Sequence, residues 1–237
     1  MASLDDLLVV QELDTSLDQL RHRRTHLPQF DERAELTRAR TKLDVAREEI
    51  AQRLHTLRSE QKECEDHASL LEDKGKEIAA ALYDGSVVSH KELEFLQAEQ
   101  ASVGERQRGF EDRALELMEE AEPLEDELAG SDADIAALQV QVDRVEQEIV
   151  VATAELDVQI EDLEGQRTQA AATVAPQLLE AYESLRLGLG GVAIARLVGA
   201  RCEGCHLEIP SAELEAIRHA PADEPVSCPE CMRLLVR

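Results

Sequence analysis

A seven-residue repeat of apolar side chains in the second half of the chain constrains the fold more than any other feature. Alternating steps of three and four residues from Leu93 reach Leu163 without a skip, and most positions on this path are apolar. A repeat held over about ten heptads keeps one seam facing a partner helix while the two helices supercoil. The pattern predicts a long coiled-coil helix. The positions are Leu93, Leu96, Gln100, Val103, Gln107, Phe110, Ala114, Leu117, Ala121, Leu124, Leu128, Ser131, Ile135, Leu138, Val142, Val145, Ile149, Ala152, Leu156, Gln159 and Leu163.

A second apolar seam, earlier in the chain, supplies the partner helix. Its positions are Leu36, Leu43, Ile50, Leu57, Cys64, Leu71 and Ile78. Between the seams, residues 83–89 include the turn signal Asp84-Gly85, and Ser89 to Glu92 fits a capping box that begins a helix. Two long helices joined by a short link form an antiparallel hairpin.

The two seams also suggest a register for this hairpin. If Ile78 faces Leu93, then Leu36 lies near Ile135, and the N-terminal segment lies near residues 150–168.

Prolines predict where the helices break. Pro28 separates a leading helix, over about residues 3–26, from the first long arm, and Pro176 marks a second break. Pro123 and Gly130 disfavour a helix, but the heptad register passes through both without a shift. We therefore expect a bent continuous helix, with a fresh helix start at Ser131 as the alternative.

Four cysteines near the C-terminus carry the strongest chemical signal. Cys202 and Cys205 form one Cys-x-x-Cys pair, and Cys228 and Cys231 form another. Each pair folds into a knuckle whose thiolates converge, and two knuckles give a tetrahedral site for one structural zinc ion, with iron as the alternative. Residues 192–198 read as a strand and residues 210–218 as a short helix, so we expect a hairpin domain over 1–186 and a zinc ribbon over 187–237.

Charge favours a protein partner over a nucleic acid. The chain of 237 residues has 51 acidic and 25 basic side chains, a formal charge of −26 that repels phosphate backbones. In the ribbon, Arg201, Arg233 and Arg237 are candidate nucleic-acid contacts, but no aromatic side chain follows Tyr182 to stack on bases. The alternative is a ribbon that binds RNA or DNA, with the hairpin as a spacer or dimerisation arm.

The sequence offers little for export or catalysis. The first twenty residues contain no Lys or Arg, and no apolar stretch approaches the roughly 20 residues of a membrane span, so we expect a cytoplasmic protein. No nucleophile with a paired base, phosphate-binding glycine loop or open metal site can be assembled. We therefore expect a non-enzymatic protein without a small-molecule substrate.

Residues at the turn, at the start of the second arm, before the ribbon and around the cysteines together form a recognisable set. They are Tyr83, Gly85, Lys91, Glu92, Leu93, Leu96, Tyr182, Leu185, Arg186, Cys202, Cys205, His206, Leu207, Pro210, Cys228, Pro229, Cys231 and Arg233. With these residues the whole chain resembles a bacterial family in which a coiled-coil hairpin precedes a C-terminal C4-type zinc ribbon. The resemblance implies non-enzymatic regulators or adaptors, linked in some bacteria to the enhancer-dependent sigma factor, flagellar expression and RNA binding. One departure is Met232, where the family prefers glycine, which puts the tightness of the second knuckle in doubt.

Overall fold

A computed structural model describes residues 4–85, 89–221 and 224–237 and confirms a mainly helical fold, a long helical hairpin followed by a small zinc ribbon. The predicted helix start at Ser3 and residues 86–88 of the predicted turn lie outside the described residues. The chain forms two compact units, one of Met1–Asp31 with Glu146–Arg237 and one of Glu32–Val145. The helices are α1 (Leu4–Thr25), α2 (Pro28–Tyr83), α3 (His90–Ala171), α4 (Pro176–Gly188) and α5 (Ser211–His219), and the strands are β1 (Ile194–Val198), β2 (Arg201–Cys202) and β3 (Leu234–Val236).

The unit of residues 32–145 is an antiparallel pair formed by parts of α2 and α3. Every position of the first predicted seam is buried or half-buried, as the heptad pattern requires. The best-packed stretch joins Leu54 and Leu57 of α2 to Leu117, Ala121 and Leu124 of α3. Burial of each leucine side chain contributes about 1.5–3 kcal/mol, so such a seam stabilises helices whose outer faces are rich in charged side chains.

The register of this pair differs from the predicted one. Leu36 lies between Glu32, which pairs with Arg144, and Arg40, which donates to Gln139. It is therefore opposite residues 139–144 and not near Ile135, a slip of roughly one heptad. The prediction was wrong because a seam that repeats every seven residues looks the same after a shift of seven, so periodicity alone does not fix the register.

Helix α3 is continuous through Pro123 and Gly130, which confirms the prediction of one helix. Pro123 lies on the exposed side, where water can bond the carbonyl that lacks its usual N–H donor. Further along α3, the predicted seam residue Gln159 is exposed and Ile160 is half-buried in its place. The apolar side chain of Ile160 therefore faces inward, although a strict heptad spacing would place Gln159 there.

In the other unit, α1 lies beside the end of α3 and against the ribbon. Arg21 pairs with Glu164 at 2.6 Å, and Arg24 pairs with Asp157, which confirms the predicted neighbourhood of the N-terminal segment. Leu7 and Val10 of α1, Tyr182 of α4 and Ile194 of β1 belong to one buried cluster, each at most 1% exposed. This cluster joins three helices to the ribbon sheet.

The ribbon is a three-stranded sheet in the order β2-β1-β3. Strand β1 runs antiparallel to β2, with Leu197 opposite Cys202, and parallel to β3, with Ile194 opposite Leu234. Helix α5 covers a second small core through Leu214 and Ile217. No helix in the described part of the chain is long and apolar enough to span a membrane.

Candidate metal centre and the junction that supports it

Both Cys-x-x-Cys segments adopt the same backbone hydrogen-bond pattern. In the first knuckle, the N–H of Cys202 donates to the carbonyl of Leu207 at 3.1 Å, and the N–H of His206 donates to the carbonyl of Cys202 at 2.8 Å. In the second, the N–H of Cys228 donates to the carbonyl of Arg233 at 2.8 Å. The N–H of Met232 likewise donates to the carbonyl of Cys228 at 2.9 Å. Two equivalent turns therefore present two sulfurs each.

The four sulfur atoms meet at one point. The Sγ atoms of Cys202 and Cys231 are 3.9 Å apart, those of Cys205 and Cys228 are also 3.9 Å apart, and all four lie within 4.8 Å of one another. Zinc–sulfur bonds of about 2.3 Å in a tetrahedron give edges of about 3.8 Å. The cysteines therefore fit one structural zinc ion, and four thiolates fill its coordination shell.

A left-handed residue follows the second cysteine of each knuckle. His206 has φ 61° and Met232 has φ 62°, and they are the two non-glycine residues with positive φ among those described. Glycine adopts this conformation without the steric cost that a Cβ atom brings. This geometry gives a physical reason for the glycine that the family resemblance implies at the position of Met232. The knuckle there keeps the same hydrogen bonds as its counterpart.

Gly204 is needed for a different reason, because another side chain passes directly over it. A Cβ atom at Gly204 would lie 2.6 Å from Cδ of Arg233 and 2.9 Å from Cβ of Ala195. The Nε of Arg233 continues past this point and donates to the carbonyl of Val192 at 3.0 Å. Arg233 thus ties the second knuckle to the segment before β1.

Before metal binds, the thiols of Cys202, Cys228 and Cys231 differ in pKa because their surroundings differ. Burial raises the pKa of Cys228 to about 12 and also raises the pKa of Cys202. Burial acts the same way on Cys231, but hydrogen bonds from the backbone and side chain of Arg233 and from neighbouring thiols outweigh it and lower its pKa to about 7. Zinc must therefore displace protons from the buried thiols, and metal binding strengthens as pH rises.

The three arginines predicted as nucleic-acid contacts all have partners within the ribbon. Arg201 lies 3.1 Å from Nδ1 of His206 and 3.8 Å from Glu203. Arg233 bonds Val192 as described, and Arg237 donates to four backbone carbonyls between Ile217 and Glu224. The structure therefore gives Arg233 and Arg237 roles in holding the ribbon together.

Sequence reasoning missed Gln11, which joins α1 to the first strand. Its amide nitrogen donates to the carbonyl of Ile194 at 2.8 Å. Its amide oxygen accepts the N–H groups of Ala193 at 2.7 Å and Ile194 at 2.8 Å. One side chain thereby satisfies three backbone groups at the entrance to the ribbon.

A buried carboxylate, Asp14, forms a second link one turn further along α1. Asp14 is only 4% exposed, accepts the hydroxyl of Tyr182 at 2.9 Å and accepts Nε of Arg167 at 3.2 Å. Arg186 lies 3.8 Å away and also pairs with Asp18. Burial, reinforced by the hydrogen bond to Asp14, raises the pKa of Tyr182 well above its usual value, so its hydroxyl stays a donor.

A signal for both residues was present in the sequence. Gln11 and Asp14 lie at helical spacing among Leu7, Val10 and Leu17, on the buried face of α1. Polar side chains on an apolar helix face are informative because burial requires them to have partners.

Relatives and solved structures match this architecture over its whole length. The chain is 32% identical to uncharacterized protein Rv2229c from Mycobacterium tuberculosis, across 100% of this chain and 96% of that protein. A solved structure from Mycobacterium smegmatis is 26% identical, covers 100% of both chains and has a TM-score of 0.88. CT398 from Chlamydia trachomatis, at 23% identity and a TM-score of 0.73, shows the same fold over 98% of this chain and 96% of its own.

Two family models divide the sequence between them. A CT398-like coiled coil hairpin domain matches residues 10–190, and a C4-type zinc ribbon domain matches residues 201–235. With the four convergent cysteines, these matches confirm the zinc site. The chain belongs to the family of CT398-like coiled-coil hairpin proteins with a C-terminal C4-type zinc ribbon.

Proposed function

We propose that this protein is a non-enzymatic, zinc-stabilised adaptor of the cytoplasm that binds protein partners through its helical hairpin and its ribbon. The observation that carries the proposal is that the arginine side chains of the ribbon are already bonded to other groups of the protein. All five arginines between residues 191 and 237 have partners within the protein. Nucleic-acid affinity depends on cations that can neutralise phosphates, so this arrangement supports a protein partner.

The partners of these arginines are mainly backbone carbonyls. Arg218 donates to the carbonyl of Gly199 at 2.9 Å, in addition to the bonds of Arg233 and Arg237 given above. Arg196 instead pairs with the carboxylate of Asp5 at 3.4 Å. A phosphate that recruited Arg218, Arg233 or Arg237 would have to compete with contacts that hold the ribbon's own loops.

The closed metal site supports a structural role for the metal. A catalytic zinc keeps one position for water or substrate, whereas four cysteine sulfurs fill a tetrahedron. Zinc then supplies folding free energy, on the order of 10 kcal/mol for small zinc domains, to a ribbon without aromatic residues.

A pull-down from native lysate tests the proposal. The tagged, zinc-loaded protein would be used with and without nuclease, at two salt concentrations. We expect a protein partner that is retained after nuclease treatment. Recovery of RNA or DNA, with loss of all partners after nuclease and a steep loss of binding as salt rises, would establish the nucleic-acid alternative instead.

A further inference from the structure

An open groove runs along the helix pair of residues 32–145. It has a volume of about 420 Å³. Ala68 of α2 and Ala114 of α3 are both buried where the two helices face each other, 7% and 6% exposed. Their small side chains leave a depression between the helices. The lining residues are Glu65, Ala68, Ser69, Glu72, Glu111, Ala114, Leu115 and Met118.

The wall contributed by α3 is apolar and accessible. Leu115 is 57% exposed and Met118 is 48% exposed. These two residues are three apart, so they are neighbours on one helix face. Methionine adapts its shape to different apolar partners, which suits a recognition surface.

The rim of the groove carries one sign of charge. Glu65, Glu72 and Glu111 line it, and no basic residue among those that the structure describes does. Glu72 is paired with Lys76 at 2.8 Å, whereas the neutral amides of Gln61 and Gln107 donate to Glu65 and Glu111. Two carboxylates at the rim therefore keep their charge available to a cation from outside.

We propose that this groove binds a helical segment of a partner protein whose apolar residues are flanked by lysine or arginine. Apolar side chains of the segment would lie over the alanines against Leu115 and Met118, while its cations would pair with Glu65 and Glu111. This is the arrangement of an amphipathic helix in a groove, here with acidic edges. The proposal rests on the proposed adaptor function, since it names one of the hairpin's binding surfaces and the chemistry of its partner.

The probe for this site is a pair of synthetic helical peptides that share one leucine pattern. One peptide has lysines beside the leucines and the other has glutamates at the same positions. We expect the lysine peptide to bind the full-length, zinc-loaded protein in a fluorescence anisotropy titration and the glutamate peptide not to bind. Absence of binding by the lysine peptide would overturn the proposal.

A charge-reversed variant separates the groove from the general negative field of the protein. Glu65→Lys with Glu111→Lys should weaken the lysine peptide at least tenfold and allow the glutamate peptide to bind. Glu49→Lys with Asp134→Lys, exposed on the same unit about four helical turns from the groove, gives the same net charge and should change affinity less than twofold. Equal losses in both double variants would refute a specific site.

A second substitution tests the apolar wall independently of charge. Met118→Ser should weaken the lysine peptide about fivefold, whereas Val45→Ser, at an exposed valine away from the groove, should have no effect. Circular dichroism confirms that each variant remains helical. Unchanged affinity in Met118→Ser would also contradict the proposal.

The same variants distinguish failure of the groove from failure of the adaptor function. If the wild-type protein captures a nuclease-resistant partner and the Glu65→Lys, Glu111→Lys variant captures it equally well, the adaptor function stands and the groove is refuted. If the wild-type protein captures no protein, the adaptor function fails, and the peptide titrations alone decide the groove.

Discussion

Replacement of Gln11 by methionine tests whether one amide side chain joins the ribbon to α1. Methionine has nearly the same length and shape, so the change removes hydrogen bonds without opening a large cavity. Three backbone groups lose their partner, namely the N–H groups of Ala193 and Ile194 and the carbonyl of Ile194. Ala193 and Ile194 are 0% and 1% exposed, so water reaches these groups poorly.

The expected cost follows from these three bonds. A hydrogen bond contributes about 1 kcal/mol net, and a buried group left without a partner costs about 1–3 kcal/mol. Gln11 itself is only partly buried, which places the sum near the lower end. We expect the junction to lose about 2–3 kcal/mol, or roughly a 30- to 150-fold increase in the population of its open state.

Amide hydrogen exchange of the zinc-loaded protein measures this opening. The N–H of Leu234 is a suitable reporter because its acceptor, the carbonyl of Ala193, is not altered by the substitution. Gln19→Met, at an exposed glutamine of the same helix, is the matched control and should change exchange less than twofold. If exchange at Leu234 in Gln11→Met rises less than threefold, the side chain does not hold the junction and the reasoning fails.

Three further predictions concern the carboxylate link and the metal site. Tyr182→Phe removes the hydroxyl donor from buried Asp14 and should lower the free energy of unfolding by about 1.5–3 kcal/mol in urea titrations. Because the pKa of Tyr182 is raised in the folded state, wild-type stability should fall as pH rises above about 10, where the unfolded tyrosine ionises first, and the variant should show a smaller fall. Met232→Gly should relieve about 1–2 kcal/mol of strain from the left-handed backbone conformation, offset by about 0.4–1 kcal/mol because the unfolded chain becomes more flexible. Zinc affinity, measured by competition with a chelator, should therefore rise two- to fivefold. Weaker zinc binding would contradict this account. Cys202→Ser with Cys228→Ser should abolish stoichiometric zinc in metal analysis while far-UV circular dichroism keeps most of its helical signal, and retained zinc would refute the ligand set.

Features set by neighbouring residues could be predicted from the sequence, whereas features set by distant residues could not. A Cys-x-x-Cys knuckle is local, because its hydrogen bonds span only a few residues, and its repetition predicts a four-sulfur site. The helix pair was also predictable, since each seam is visible along one helix. Its register was not, because the contacts across the helix pair, such as that of Arg47 with Asp132 at 2.8 Å, join residues far apart in sequence.

Gln11 and Asp14 show the same limit in the candidate site. Their partners lie more than 150 residues away, and the type of a polar residue alone gives no indication of which distant group it will meet. Only their position on the apolar face of α1 distinguished them. The partners of two ribbon arginines were equally out of reach, because Arg233 and Arg237 bond backbone carbonyls that lie 13 to 41 residues away in sequence.

Zinc therefore stabilises the fold of the ribbon, whereas the junction with α1 stabilises the attachment of the ribbon to the helices. All four metal ligands lie between Cys202 and Cys231, so closing the tetrahedron constrains the ribbon alone and does not connect it to a helix. Attachment to α1 comes from Gln11 at β1 and from the buried cluster that includes Leu7, Val10 and Ile194, while Asp14 links α1 to Tyr182 of α4. Loss of zinc should accordingly unfold the ribbon with little effect on the helix pair of residues 32–145. Substitution of Gln11 should loosen the attachment while the zinc stoichiometry stays at one.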